Sequence, residues 1–230
     1  MSPVLYATNI DGVTVDVSDD RLIVASERAL RMVTTAPYGA DFREVRAFLS
    51  LPATVDIDCA RPEQSILDRA ATFGVRGSFA GFLTAVKLTR AVVTLEADED
   101  CRVTVVATVG VTNASRPGEE RVAAYSPGTI NTIVVIDGDL SPNALNEALT
   151  TTAEAKALAV YEAGVLTAAG RVATGTSTDA YAVACTGDGR RHRYAGSVAP
   201  VGYLVGKAVR RAITEGLGPA MDRMAKAAAR

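Results

Sequence analysis

A change of hydrophobic period partway along the chain restricts its fold more than any other feature. Up to about residue 109 the apolar residues alternate in short runs, whereas beyond residue 130 they also recur at helical spacing over long stretches. Val4–Thr8, Val13–Val17, Arg21–Ala25, Arg31–Thr35 and Glu44–Leu49 read as strands of an antiparallel meander, with Asp11-Gly12 and Asp19-Asp20 at the turns. A short helix is predicted from Pro62 to Phe73, where Ile66, Leu67 and Ala70 share one side. Strands resume at Phe82–Leu88, Ala91–Ala97 and Val103–Val109. Thr132–Ile136 is a β-branched run, Ser141-Pro142 opens a helix reaching about Ala163, and Tyr181–Cys185 is a further strand. The last helix starts near Val201, and Gly216-Leu217-Gly218-Pro219 is expected to end it before a short second one. This order implies an α+β fold: layered, largely antiparallel sheets with two long helices of the C-terminal half packed on them. No linker or repeat divides residues 1–230, which are read as one domain, with 1–60 as its N-terminal meander.

Composition removes several function classes. In 230 residues, 48% are hydrophobic, enough for a substantial core, and the net charge of −2 offers no concentrated basic surface for nucleic acid. Arg190-Arg191-His192-Arg193 is the one dense basic spot and reads as a solvated turn. Cys59, Cys101 and Cys185 are odd in number and lack C-x-x-C spacing, which argues against a disulfide framework or a zinc site and fits a reducing, cytoplasmic setting. The amino terminus lacks a basic flank followed by an apolar core, and no window approaches the roughly 18 apolar residues of a spanning helix, so no membrane association is expected. With His192 as the single histidine, expected at the surface, a Ser-His-Asp triad and imidazole-rich metal chemistry are disfavoured.

The polar chemistry gathers in a few segments. Ala173-Thr174-Gly175-Thr176-Ser177-Thr178-Asp179 places four hydroxyls, a glycine and a carboxylate directly before an apolar run. Glycine admits close backbone approach, hydroxyls donate and accept, and a carboxylate can orient a water or a hydroxyl. In the helix from Pro142 to Ala163, Leu145, Leu149, Thr152, Ala159, Val160 and Ala163 fall within a stripe about 100° wide, and Lys156 lands near its centre. A lysine is therefore predicted on the buried face, where an ammonium needs a partner or an escape by its flexible stem. Glu154 points away, toward solvent unless a second layer covers it. Val111-Thr112-Asn113-Ala114-Ser115-Arg116 and Gly128-Thr129-Ile130-Asn131-Thr132 add amide, hydroxyl and guanidinium groups at strand ends, where donors can be preorganised for a developing oxyanion.

In this order, Gly81-Phe82-Leu83-Thr84-Ala85, Val111-Thr112-Asn113-Ala114 with Arg116, Gly128-Thr129-Ile130-Asn131-Thr132, Glu154-Ala155-Lys156 and the segment Ala173 to Asp179 make a specific set, followed by Tyr194-Ala195-Gly196. The set resembles the adenosylcobinamide amidohydrolase family of corrinoid salvage over a core of about residues 75–215. Ala153 stands where the family's helix usually has threonine. The resemblance implies hydrolysis of the amide between the corrin side chain and aminopropanol in adenosylcobinamide, giving adenosylcobyric acid for cobalamin salvage. Cobalt then belongs to the small-molecule corrinoid substrate, with no protein metal and no second cofactor. The implied catalytic set is Asp179, Lys156, Thr176, Ser177, Thr178 and Asn113, and the implied substrate-binding set is Thr84, Arg116, Thr129, Asn131, Glu154, Thr174 and Gly175. Two arrangements are open. In the favoured one Asp179 activates a water, Thr176, Ser177 or Asn113 donates to the oxyanion, and Lys156 supplies charge or the proton. In the other, Thr176, Ser177 or Thr178 attacks with Lys156 as base. A non-catalytic corrinoid-binding escort protein is the alternative function, a phosphate-cradling turn at Gly175 ranks last, and a homo-oligomer through the last helix is left open.

Overall fold

The computed structural model describes residues 3–53, 61–119 and 128–228, with side chains as far as residue 224. Its elements run β1 (Val4–Tyr6), β2 (Val13–Val17), β3 (Leu22–Thr34), β4 (Glu44–Pro52), α1 (Pro62–Thr72), β5 (Phe79–Thr84), β6 (Val92–Ala97), β7 (Arg102–Val109), β8 (Ala114–Ser115), β9 (Ile130–Asp137), β10 (Asp139–Leu140), α2 (Pro142–Glu162), β11 (Gly175–Thr176), β12 (Ala180–Cys185), β13 (Arg191–His192) and α3 (Pro200–Ala228).

A large mixed sheet runs β1-β2-β3-β12-β9-β7-β6, and β4 branches from β3 to carry β5. Most pairs are antiparallel, as the short alternating runs implied, but β4–β5 and β9–β12 are parallel. Each parallel pair is joined through a helix, α1 and α2 respectively, because parallel neighbours need a long crossover. The sheet folds over so that Val15, Val24, Phe48 and Phe82 from β2–β5 meet Val106, Ile133, Val135 and Ala182 from the other half in one core. On the far side of β7, β9 and β12 a second core of Val105, Val134 and Val183 packs under Ala148, Val160, Val205 and Ile213 of α2 and α3. A third, small core holds α1 on β4 and β5 through Ile66 and Ala70. Among the described residues no helix is long and apolar enough to cross a membrane.

Several boundaries differ from expectation for local reasons. The two strands expected at Arg21–Ala25 and Arg31–Thr35 are one 13-residue strand, β3. The stretch between the two expected strands holds a register shift against β4 between Ala25 and Leu30, as a bulge produces. The strand expected at Phe82–Leu88 begins at Phe79 and ends at Thr84, and Leu88 opens a 3-10 turn that runs to Arg90. α3 does not stop at Gly216–Pro219: Pro219 lies inside the helix. Gly216 serves contact with the sheet there, since a Cβ would lie 2.5 Å from Val109 Cγ2. His192, expected at the surface, is 8% exposed, because β13 pairs with β10 and seats the imidazole against Gly138. α2 starts as anticipated, with the Ser141 hydroxyl accepting from the Ala144 N–H at 3.1 Å and Pro142 in the first turn.

Candidate active site

The parallel pair β9–β12 brings two strand beginnings side by side, with Asn131 opposite Ala180. Residues just before those strands therefore share one edge of the sheet, and the chain leaving β7 reaches the same edge. There β11 pairs with β8, Thr176 opposite Ala114, so the three polar segments do meet. α2, bridging β9 to β12, brings Lys156 to this edge on its buried face.

Asp179 is the hub. Its Oδ2 accepts from Lys156 Nζ at 2.7 Å and from the Thr176 N–H at 3.1 Å. Its Oδ1 accepts from the Ile130 N–H at 3.1 Å and, in a short bond, from the Thr176 hydroxyl. A carboxylate offers about four lone-pair directions, and these four donors occupy them, with the Tyr181 phenol as a further hydrogen-bonding neighbour. Lys156 also donates to the Thr174 carbonyl at 2.8 Å and lies 5.8 Å from the centre of the Tyr181 ring. The two charged side chains are only 8% and 7% exposed, so the sequence expectation of a buried lysine holds and its partner is identified. Gly175 makes the contact feasible: a Cβ there would collide with both Lys156 Nζ and Asp179 Oδ2.

The three consecutive hydroxyls are used differently. Thr178 donates to the Gly128 carbonyl at 2.7 Å. Ser177 accepts from the Asn113 amide at 3.0 Å and is exposed, so its own proton points to no acceptor among the described residues. Thr176 donates to Asp179 and accepts from the Thr178 N–H at 3.5 Å. Asn113 directs its amide protons to Ser177 and Thr178, while its Oδ1 is buried without a partner among the described residues.

The substrate-binding residues expected from the sequence are placed less uniformly. Thr174 and Gly175 belong to the hub itself. Thr84 is 1% exposed and caps its own turn, its hydroxyl accepting from the Val86 N–H at 3.0 Å. Thr129 donates to the Thr178 carbonyl at 2.7 Å, and Asn131 donates to the Leu83 carbonyl at 2.9 Å. Asn131 projects to the sheet face opposite Lys156, together with Ile133 and Val135, so it ties β9 to β5. Arg116 is exposed near Glu119, which also approaches Arg171. Glu154 lies on the outer side of α2, as expected, in a cleft of about 460 Å³ shared with Leu158, Tyr203, Lys207 and Arg210 of the helix layer; this cleft excludes Lys156, Asp179 and Thr176. Among the described residues no group of three or more His, Cys, Asp or Glu is disposed to hold a metal ion.

Tyr181, a strand residue by its sequence pattern, also stands at this site. Burial, followed by the charge of Asp179, pushes its phenol well above the ordinary range, so it stays protonated beside the ion pair. Its signal was the two-residue spacing from Asp179, which puts both on one side of an extended chain.

A family model described as adenosylcobinamide amidohydrolase matches residues 6–225, so the likeness takes in the N-terminal strands as well as the core legible from motifs. A protein of Methanosarcina mazei named adenosylcobinamide amidohydrolase is 36% identical over 165 residues, 68% of this chain and 74% of the relative. One of Halobacterium salinarum with the same name is 30% identical over 216 residues, 86% and 84% of the two chains. A solved structure from Pyrococcus horikoshii OT3 aligns over 94% of this chain and 83% of its own, with 11% identity and a TM-score of 0.45. With the family model spanning nearly the whole sequence and both relatives carrying the same name, the chain belongs to the adenosylcobinamide amidohydrolase family.

Proposed function

We propose that this chain hydrolyses the amide joining the corrin propionyl side chain to aminopropanol in adenosylcobinamide, releasing adenosylcobyric acid and aminopropanol. The observation that carries the reading is the buried Lys156–Asp179 pair bonded to Thr176, in a chain of this family. A buried ion pair is weak support for stability, because desolvation offsets its attraction, so stability alone is a poor reason for this pair. A corrinoid escort protein would have no need of the pair, and both named relatives carry the name of an enzyme.

Cobalt enters as part of the substrate, and no step calls for a protein-bound metal or a second cofactor. The product lets the nucleotide loop be rebuilt on scavenged, incomplete corrinoids. The reading places the reaction in the cytoplasm, a setting supported by the buried free thiols of Cys101 and Cys185. Its partner is a small corrinoid rather than nucleic acid, in keeping with the net charge of −2.

The test is incubation of purified protein with adenosylcobinamide, following both products by mass spectrometry. Aminopropanol and adenosylcobyric acid should appear at equal rates. Binding of the corrinoid with neither product formed would support the escort function instead.

A further inference from the structure

A water attacking the amide would need an open acceptor on its base, and Asp179 has none. Two of its four donors are backbone N–H groups of Ile130 and Thr176, and a third is the ammonium of Lys156, itself anchored on the Thr174 carbonyl. The fourth is the Thr176 hydroxyl, the one donor whose proton can be transferred to the carboxylate without dismantling the site. Thr178 is committed to the Gly128 carbonyl, and Ser177 lies next to the hub with its proton unassigned.

We infer that Thr176 is the nucleophile of this reaction, with Asp179 as its base and Ser177 as a donor to the oxyanion; the inference rests on the amidohydrolase reading. The Thr176 proton passes to Asp179 Oδ1 as Oγ1 bonds to the amide carbon. The carbon–nitrogen bond then breaks, and the departing aminopropanol nitrogen takes that proton from Asp179. This leaves adenosylcobyric acid esterified to Thr176. Water adds to the ester, giving its proton to Asp179, and the acid leaves as Thr176 Oγ1 recovers the proton. Throughout, Lys156 remains an ammonium that holds the carboxylate in place. The hydroxyl of Ser177, fixed as an acceptor by Asn113, is free to donate to the oxygen that becomes negative in both half-reactions.

The experiment quenches the wild-type protein with acid during turnover and digests it with trypsin, which cuts at Arg171 and Arg190 and frees the peptide Val172–Arg190. That peptide should carry the adenosylcobyric acyl mass, and fragmentation should place it on Thr176. Isotope-labelled aminopropanol added to the reaction should enter the unreacted substrate. Thr176→Val, still binding adenosylcobinamide, should lose both signals and at least about 1,000-fold in rate, while Thr176→Ser keeps both. Ser177→Ala should slow the reaction about 100- to 1,000-fold. Localisation of the acyl group to Ser177, or retention of more than about a tenth of the rate in Thr176→Val, overturns the inference. So does wild-type hydrolysis that shows neither an adduct nor incorporation of label. A wild-type protein that releases no aminopropanol at all refutes the amidohydrolase reading itself, which separates the two failures.

Discussion

Removing one member of the Lys156–Asp179 pair leaves its partner charged and buried, a change that typically costs about 3–5 kcal/mol. Lys156→Met should therefore lower unfolding stability in urea by an amount of that order and abolish product release. In Lys156→Met with Asp179→Leu the uncompensated charge is gone but the Ile130 and Thr176 N–H groups lose their acceptor, so only part of the stability should return while activity stays absent. Recovery of activity in the double variant would deny the pair any role in the chemistry. His192 supplies a pH prediction of definite sign. Burial, then the positive charge of Arg190, holds its imidazole below the ordinary value of 6.5. The unfolded chain binds the proton more readily, so this contribution to stability is complete above about pH 6.5 and is lost as pH falls from there toward the folded value. Thermal unfolding between pH 7.5 and 5.5 should show a steeper acid-side fall in Tm for the wild type than for His192→Gln. At this scale helical spacing was enough to bury Lys156, together with Leu145, Thr152, Ala159 and Val160 of the expected stripe, although the buried face of α2 is wider and also takes in Ala144, Ala148, Thr151 and Ala155. It could not bury His192, because that depends on β13 finding β10 some fifty residues earlier, and it could not foresee that Asp179 would be fully occupied.

Elements were most legible where propensity, capping and burial agreed. Ser141-Pro142 and the alternation in β6 and β7 each specify their element locally, and the structure follows them to within a residue. The reading failed where a residue's local meaning was overruled by a neighbour in space, as in the Gly216–Pro219 segment of α3. Gly206 and Gly216 of the same helix have the same local preference but different surroundings, so they should respond to alanine with opposite signs. At Gly216 a methyl group meets Val109 across the helix–sheet contact, and overpacking of this kind costs roughly 1–3 kcal/mol. Gly206 is helical, is followed by no proline, and its nearest neighbour to an added Cβ is Thr151 Cγ2 at an ordinary 3.8 Å, so its replacement should add up to about 1 kcal/mol through helix propensity. Denaturant midpoints of the two single variants test this directly. α3 is also held to β6 by Glu96, which receives Lys207 at 2.8 Å and Arg211 at 2.5 Å, so the helix is anchored upstream of its proline.

For the whole molecule, fold class followed from the change of period along the chain, but strand order did not. Period shows which face of a strand is buried and says nothing of which strand lies beside it. β12 lies between β3 and β9, so residues 180–185 complete a sheet whose other central strand began at residue 22. Asn131 adds a second long-range tie by reaching the Leu83 carbonyl across the inner core. Late arrival of the central strand has a consequence for biosynthesis. While the chain is still being translated, β3 and β9 each present an unpaired edge, and unpaired edges recruit other chains. A chain stopped at residue 179 should sediment as aggregate even though it retains most of the strands, and a stalled or slowed ribosome just upstream of β12 would hold the nascent protein in its most adhesive state. Productive folding therefore has to wait for the last quarter of the message, and refolding yield should rise with an added holdase for reasons that lie in the order of the strands rather than in their stability.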